Sequence, residues 1–363
     1  MAEKSRKPEA SRTLLDVVSI SWVAPPQFID VRSPAEFQEG HIPGAYNVPL
    51  FSDEERAKVG SLYKQVSRQA AFNKGLEFVG PKLANIVKQV RKHGGPAPLI
   101  YCWRGGMRSE SVCGLMKLSG IHCRRLAGGY KAYRSHVRHS FSHPIPLLLL
   151  GGYTGSGKTA LLLQLAENNL QVLDLEGLAN HKGSAFGHLN EEPQPTNEQF
   201  SNNLFHELQR LDPNKVILVE NESRVIGKVH LPEPFFMQMR SAPLVSLKVP
   251  MEARIARLID DYADTPKLQL VEATQRIAKK LGQEKAKKVE EYITNDHFDK
   301  ACAILLSYYD TYYDRGVFKR GKDLIHHLQL SGNDQEADVE IIKTKITSLP
   351  PLYTMTMESP EHV

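Results

Sequence analysis

The sequence predicts an α/β protein in two parts, and three observations carry the prediction. The stretch LIYCWRGGMRS, Leu99 to Ser109, is an apolar run that stops at Cys102, turns through Gly105 and Gly106 and opens a helical pattern at Arg108 and Ser109. The stretch LLLLGGYTGSGKT, Leu147 to Thr159, is a four-leucine run and a glycine-rich loop ahead of the helical Ala160 to Leu165. Strand–loop–helix units of this kind build parallel sheets covered by helices. The length of 363 residues is large for a single core. Two domains are therefore expected, 1–142 and 143–363, the second ending in a helical region.

Composition narrows the class. With 41% hydrophobic and 24% charged residues the chain is neither collagen-like nor disordered. The opening MAEKSRK lacks a signal-type apolar core, and Ile145 to Leu150 is too short to cross a bilayer. No membrane partner and a cytoplasmic location are expected. Cys102, Cys113, Cys123 and Cys302 form no CxxC pair, which suits free thiols in a reducing compartment and makes a cysteine-ligated metal unexpected. Residues 1–145 hold 22 Lys/Arg against 11 Asp/Glu, whereas the remainder holds 24 against 30. A basic first part attracts polyanions, with Arg124, Arg125, Lys131, Arg134 and Arg138 as candidate phosphate contacts, although composition alone fits an unspecific basic surface equally well.

In chain order, residues 1–20 read as a frayed leader. Gln27 to Asp30 reads as a strand, and Ser33 caps a helix with Pro34 in its first turn. The turn-rich Gly40 to Pro49 leads into a short strand. Ser52 to Gly80 reads as an added helical segment, a solvated flap or a cover for the cysteine loop. Lys131 to His139 is a basic helix end, and His143 to Pro146 is a linker.

The cysteine loop leads into a helix N-terminus, so its backbone N–H groups can hold an anion beside the sulfur. Arg108, with five residues between it and Cys102, adds positive charge and is expected to lower the thiol pKa. Cys102 and Arg108 are the candidate catalytic pair. Trp103, Arg104, Gly105, Gly106, Met107 and Ser109 complete the loop.

In the second part Gly152, Gly157, Lys158 and Thr159 occupy the defining positions of G-x-x-x-x-G-K-T. With Gly155 and Ser156 they form a cradle for a diphosphate, in which Lys158 offsets charge and Thr159 suits Mg²⁺. Asp174, Glu176 and His181 follow the strand Gln171 to Asp174, and Glu220 and Glu222 follow the strand Val216 to Glu220. These five are candidates for acid–base or Mg²⁺-linked roles, because open α/β sheets bind ligands at carboxyl strand ends. Leu244 to Val249 is a further strand. From Met251 the chain reads as mostly helical, with an aromatic stripe of Tyr308, Tyr309, Tyr312 and Tyr313 beside Leu305. Such a stripe is core, or the border of an apolar pocket. From Asn333 the chain becomes more polar and is expected to fray at its end.

The run DVRSPAEFQEGHIPGAYNVP, followed in order by YCWRGGMRS and LAGGY, resembles the rhodanese (sulfurtransferase) homology domain over about residues 15–140. In that family the loop cysteine carries a chalcogen atom, a role that falls here on Cys102, while Asp30 and His41 read as structural. Sulfur carriers of the family commonly place four residues between cysteine and arginine. The five found here resemble the phosphatase branch and leave room for a tetrahedral phosphate.

The whole chain, through DLEGLANHKGSAFG, VENESRVIG and LLSYYDTYY, resembles the tRNA 2-selenouridine synthases. The resemblance implies a rhodanese-like α/β domain fused to a P-loop NTPase-like α/β domain. It implies a transferase that S-geranylates wobble 2-thiouridine of tRNA with geranyl diphosphate, then exchanges geranyl thiolate for selenium from selenophosphate, held on Cys102. Selenophosphate and geranyl diphosphate are the implied co-substrates, with Mg²⁺ at Thr159. The implied partners are tRNA and selenophosphate synthetase as the donor source. Whether the P-loop also takes a nucleotide is left open by the residues. So are a general sulfurtransferase coupled to a P-loop ATPase and a non-catalytic P-loop switch.

Overall fold

The computed structural model describes residues 14–262, 264–317 and 320–349. The chain divides into two compact units. Unit 1 runs through Phe141 and takes in Ser201–Arg210 as well, and unit 2 comprises Ser142–Phe200 and the chain from Leu211 onward. The boundary expected from sequence places 201–210 with the second domain instead.

Unit 1 holds the strands β1 (Leu14–Leu15), β2 (Phe28–Asp30), β3 (Tyr46–Asn47), β4 (Leu99–Tyr101) and β5 (Arg124–Leu126). They form one parallel sheet in the order β1-β5-β4-β2-β3. All three residues of β4 are buried, as befits a central strand covered on both faces. Ile29, Ile100, Val90 and Met116 belong to its core. The residues expected to fray start structure instead: β1 pairs with β5, and Asp16 caps the turn Val17–Ser19. Residues 1–13 of that expectation lie outside the described residues.

Asp30 and Arg32 form a fully buried ion pair at 2.7 Å, and Arg32 also donates to the Gly40 carbonyl and lies over the Tyr130 ring. Removing one partner of a buried ion pair of this kind costs about 3–5 kcal/mol. His41 stacks on Phe37, and its Nδ1 contacts the Phe37 carbonyl. Asp30 and His41 thus have the structural roles expected of them. The returning segment inserts Asn202, which is fully buried, donates to the His41 carbonyl and to Tyr130 Oη and accepts from Arg134. Arg134 is thereby buried and engaged, which removes it from the surface phosphate contacts expected of the basic half.

Unit 2 holds β6 (Leu147–Gly152), β7 (Gln171–Leu173), β8 (Ile217–Glu220), the hairpin β9 (Val225–Ile226) and β10 (Val229–His230), then β11 (Leu244–Lys248) and β12 (Ile325–Gln329). Its parallel sheet runs β12-β11-β6-β8-β7, so the leucine strand β6 is central and all six of its residues are buried. The region after Met251 is mostly helical, as expected, and adds a fifth strand to the sheet, β12, paired with β11 over its whole length. The polar stretch after Asn333 forms the helix Gln335–Ser348, capped by Asp334 and packed through Val339 and Ile342 into the core, and the chain end expected to fray lies outside the described residues. Asp174 leads into a short helix, Leu175–Ala179.

Candidate functional site

In unit 1 the cysteine loop joins β4 to the helix Met107–Leu118. Its carbonyls are tied off. Cys102 O accepts from the Tyr130 N–H, Trp103 O from the Lys131 N–H and Gly105 O from Arg125. The N–H groups of Arg104, Gly105, Gly106 and Met107 have no acceptor among the described residues. The loop thus offers donors at a helix start, the arrangement that binds anions. Gly105 has φ +66°, and a Cβ there would lie 2.7 Å from the Leu126 carbonyl oxygen, so the turn needs glycine.

Cys102 is 3% exposed, with Sγ 3.3 Å from Ser109 Oγ and 3.9 Å from the Gly106 carbonyl. Trp103, Arg104 and Met107 are exposed around it. Arg108 has a partner that the sequence reading does not name: its guanidinium forks onto Glu36 at 2.6 and 3.3 Å. Burial opposes charge on Glu36, but the Arg108 pair outweighs it and holds the carboxyl below its usual range. Sequence reasoning misses Glu36 as a partner because 72 residues separate the two. The added helical segment is two helices, Asp53–Gln65 and Arg68–Val79, and Arg68 reaches Met107 Sδ at 3.5 Å.

In unit 2 the P-loop joins β6 to the helix Lys158–Glu167. Gly155 and Gly157 both have φ +77°. Lys158 Nζ folds back to the Gly152 carbonyl at 3.2 Å, and Ser156 Oγ donates to the Tyr153 carbonyl. Two arginines absent from the sequence reading organise the loop. Arg254, buried and chelated by Asp310, donates to the Thr154 carbonyl at 2.8 Å, and Arg257 donates to Gly155 O at 2.8 Å. Their i,i+3 spacing on the helix Met251–Asp261 is the available signal.

The acidic candidates converge only in part. Thr159 Oγ1 donates to Glu176 at 2.9 Å. Glu222 lies against Glu176; enclosure by the fold and that neighbour outweigh Lys158 and push its pKa up to about 8. Glu220 is fully buried, and burial, then Asp174, raises its carboxyl well above the usual range. One of its oxygens accepts the Leu175 N–H and the other has no partner among the described residues. Asp174 caps the helix Leu175–Ala179 through the Gly177 N–H. His181 is buried, its Nδ1 accepts the Gly183 N–H, and burial followed by His188 lowers its pKa.

Beside the P-loop lies a cavity of about 250 Å³ with an almost wholly apolar lining. Phe298, Ala301, Cys302, Leu305, Leu306 and Tyr309 supply one wall, from a single face of the helix Phe298–Val317. Thr154 of the P-loop lines it too, as does Tyr262, whose phenol burial raises to about 12. Of the predicted stripe, Leu305 and Tyr309 border this pocket, whereas Tyr308, Tyr312 and Tyr313 are not among its lining residues. Among the described residues no group of three or more His, Cys, Asp or Glu is placed to hold a metal ion, and no helix is long and apolar enough to cross a membrane.

A family model described as the tRNA 2-selenouridine synthase AAA domain matches residues 145–340, and one described as a rhodanese-like domain matches 16–136. The tRNA 2-selenouridine synthase of Nitrosomonas europaea is 39% identical over 261 residues, which is 68% of this chain and 66% of that protein. That of Bdellovibrio bacteriovorus is 40% identical over 246 residues, 64% of each chain. The protein of the same name from Shewanella frigidimarina is 34% identical over 345 residues, 82% of this chain and 92% of its own length. The chain thus spans slightly less than two thirds of the first two relatives and nearly all of the third. Matched over both its cysteine-loop and its P-loop halves, the chain belongs to the tRNA 2-selenouridine synthase family, a family of tRNA-modifying enzymes.

Proposed function

We propose that this chain converts wobble 2-thiouridine of tRNA to 2-selenouridine in the cytoplasm, by S-geranylation in unit 2 and selenium transfer at the cysteine loop of unit 1. The observation that carries the first step is the apolar cavity bordered by the P-loop residue Thr154. A prenyl diphosphate has one charged end for the P-loop and one wholly apolar end for this cavity, whose lining offers few polar groups for the edge of a nucleobase.

The chemistry requires such a donor. C2 of 2-thiouridine is a poor electrophile and sulfide a poor leaving group. When the thione sulfur bonds to C1 of the geranyl group, the C1–O bond breaks, diphosphate leaves with the electron pair, and the N3 proton is lost. Lys158 and the N–H groups of the P-loop stabilise the departing diphosphate. Thr159 and Glu176 are hard oxygen donors suited to Mg²⁺, which would offset charge on that leaving group. C2 then carries a thiolate that can depart, and selenium from selenophosphate, the product of a selenophosphate synthetase, replaces it. The donor-rich loop around Cys102 and the charge of Arg108 suit the phosphate of that co-substrate.

Nucleoside analysis of tRNA from selenium-fed cells that depend on this chain tests both halves. Cys102→Ala is expected to abolish 2-selenouridine and accumulate S-geranyl-2-thiouridine, whereas Lys158→Ala leaves 2-thiouridine unmodified. Geranylation that survives Lys158→Ala, with only ATP hydrolysis abolished, makes the P-loop an ordinary nucleotide site and ends the assignment.

A further inference from the structure

We propose that Cys102 takes the phosphoryl group of selenophosphate, with release of selenide as the nucleophile for C2, so that the cysteine loop acts as a phosphoryl acceptor and not as a selenium carrier. The inference rests on the selenium-transfer reading above. Electron counting motivates it. Selenium in selenophosphate and selenium bonded to C2 are both at the selenide level, so the transfer as a whole is redox-neutral. A selenium atom held on Cys102 as S–Se⁻ sits two electrons higher. It would need an oxidant to load and a reductant to unload, and the reaction supplies neither.

Attack on phosphorus balances without either. The Cys102 thiolate forms the S–P bond as the P–Se bond breaks, and selenide leaves with the electron pair. Selenide then bonds to C2, and geranyl thiolate departs with the electron pair of the broken C2–S bond. Water cleaves the S–P bond, which returns the Cys102 thiolate and gives inorganic phosphate.

The loop has the parts for this. Five residues separate Cys102 from Arg108, enough for a tetrahedral group to sit among the unpaired N–H groups of Arg104 to Met107. The carbonyls of Cys102, Trp103 and Gly105 are bonded elsewhere, which keeps three acceptors from competing for that space. Arg108 is fixed by its fork onto Glu36, so the cation is held in place before an anion arrives. Ser109, fully buried, donates its hydroxyl to the Gly106 carbonyl at 3.1 Å and lies 3.3 Å from Sγ, so a rotation of that hydroxyl would turn its proton onto the thiolate that leaves when water attacks phosphorus.

The test uses the full chain, RNA carrying S-geranyl-2-thiouridine, and selenophosphate labelled with ³²P in one arm and ⁷⁵Se in the other, with acid quench and peptide mapping. The expected result is ³²P on the Cys102 peptide and ⁷⁵Se in the RNA, with Ser109→Ala holding severalfold more ³²P than the unaltered chain because dephosphorylation slows. Retention of ⁷⁵Se without ³²P on Cys102 overturns the proposal. So does turnover that leaves ³²P on neither protein, since selenium then reaches C2 without a phosphorylated enzyme. If the unaltered chain makes no 2-selenouridine from this RNA, the underlying selenium-transfer reading fails, and the proposal falls with it. Melting temperatures of both proteins separate a chemical effect of Ser109→Ala from a folding defect.

Discussion

Glu222 is the side chain whose protonation bears most directly on the proposed S-geranylation. S-alkylation of 2-thiouridine releases the N3 proton, and a carboxylate with an ordinary pKa would be a weak acceptor for it. Enclosure and the neighbouring Glu176 push Glu222 up to about 8, while Glu176 in turn binds Thr159 of the P-loop. Below that pH Glu222 is protonated and cannot accept. The expected outcome is a prenylation rate that rises with pH, with an inflection at about 8 that moves down as Mg²⁺ is added because a cation on Glu176 removes the charge that raises Glu222, in rapid-quench measurements with geranyl diphosphate. Glu222→Gln should lower the plateau by about 10²–10⁴-fold, the usual contribution of a general base, and erase the inflection. An unchanged profile in the variant removes Glu222 from proton transfer. Lys158, Thr159 and Cys102 are legible in the sequence because local motifs define them. Glu36 and Arg254 are not, because their partners Arg108 and Asp310 lie 72 and 56 residues away.

At the scale of elements, the helix Phe298–Val317 joins the P-loop to the apolar cavity. Asp310 on it holds Arg254, which holds the Thr154 carbonyl, so the Tyr309 end of the lining face lies toward the P-loop. From Tyr309 back to Phe298 the helix rises about 16 Å at 1.5 Å per residue. A cavity of about 150 Å³ holds benzene, so by proportion ten carbons need about 250 Å³ and fifteen about 375 Å³. On that proportion the cavity of about 250 Å³ is of the size that the proposed ten-carbon donor needs. Phe298→Ala is expected to raise the farnesyl-to-geranyl product ratio, and Ala301→Phe to shift preference toward dimethylallyl diphosphate, both read by mass spectrometry of the modified nucleoside. Ratios that stay fixed in both variants would show that another wall sets the length. This cavity is not readable in advance: it draws on four helices, 251–261, 267–281, 283–294 and 298–317, whose sequences report only that each is amphipathic. Strand β12 is hidden for a related reason. IHHLQ has only two strongly apolar residues and becomes a strand through its pairing with β11, far earlier in the chain. By contrast β6, with six buried residues between a proline-bearing linker and a glycine loop, is plain from the sequence.

Across the whole molecule the charges are uneven, with residues 1–145 carrying 22 Lys/Arg against 11 Asp/Glu. If this half meets tRNA phosphates, affinity falls steeply with salt. Lys131 and Arg138 remain exposed on the helix Gly129–Ser140, unlike Arg134. Reversing both to Glu should reduce the slope of log K against log salt by about 2, one for each phosphate that is no longer neutralised. Fluorescence anisotropy with labelled tRNA checks it, and an unchanged slope moves the RNA elsewhere. The returning segment Ser201–Arg210 has a different consequence, one that concerns the order in which the protein is made. When a ribosome has just emitted Phe141, every strand of the first sheet exists. The pocket for Asn202 is still open, though, and the Trp22 and Tyr133 rings lack Phe205. Unit 1 therefore cannot close until part of unit 2 has been synthesised. The chain must hold a nearly finished first sheet in waiting, its buried aromatic face in water, for as long as translation takes to reach residue 210.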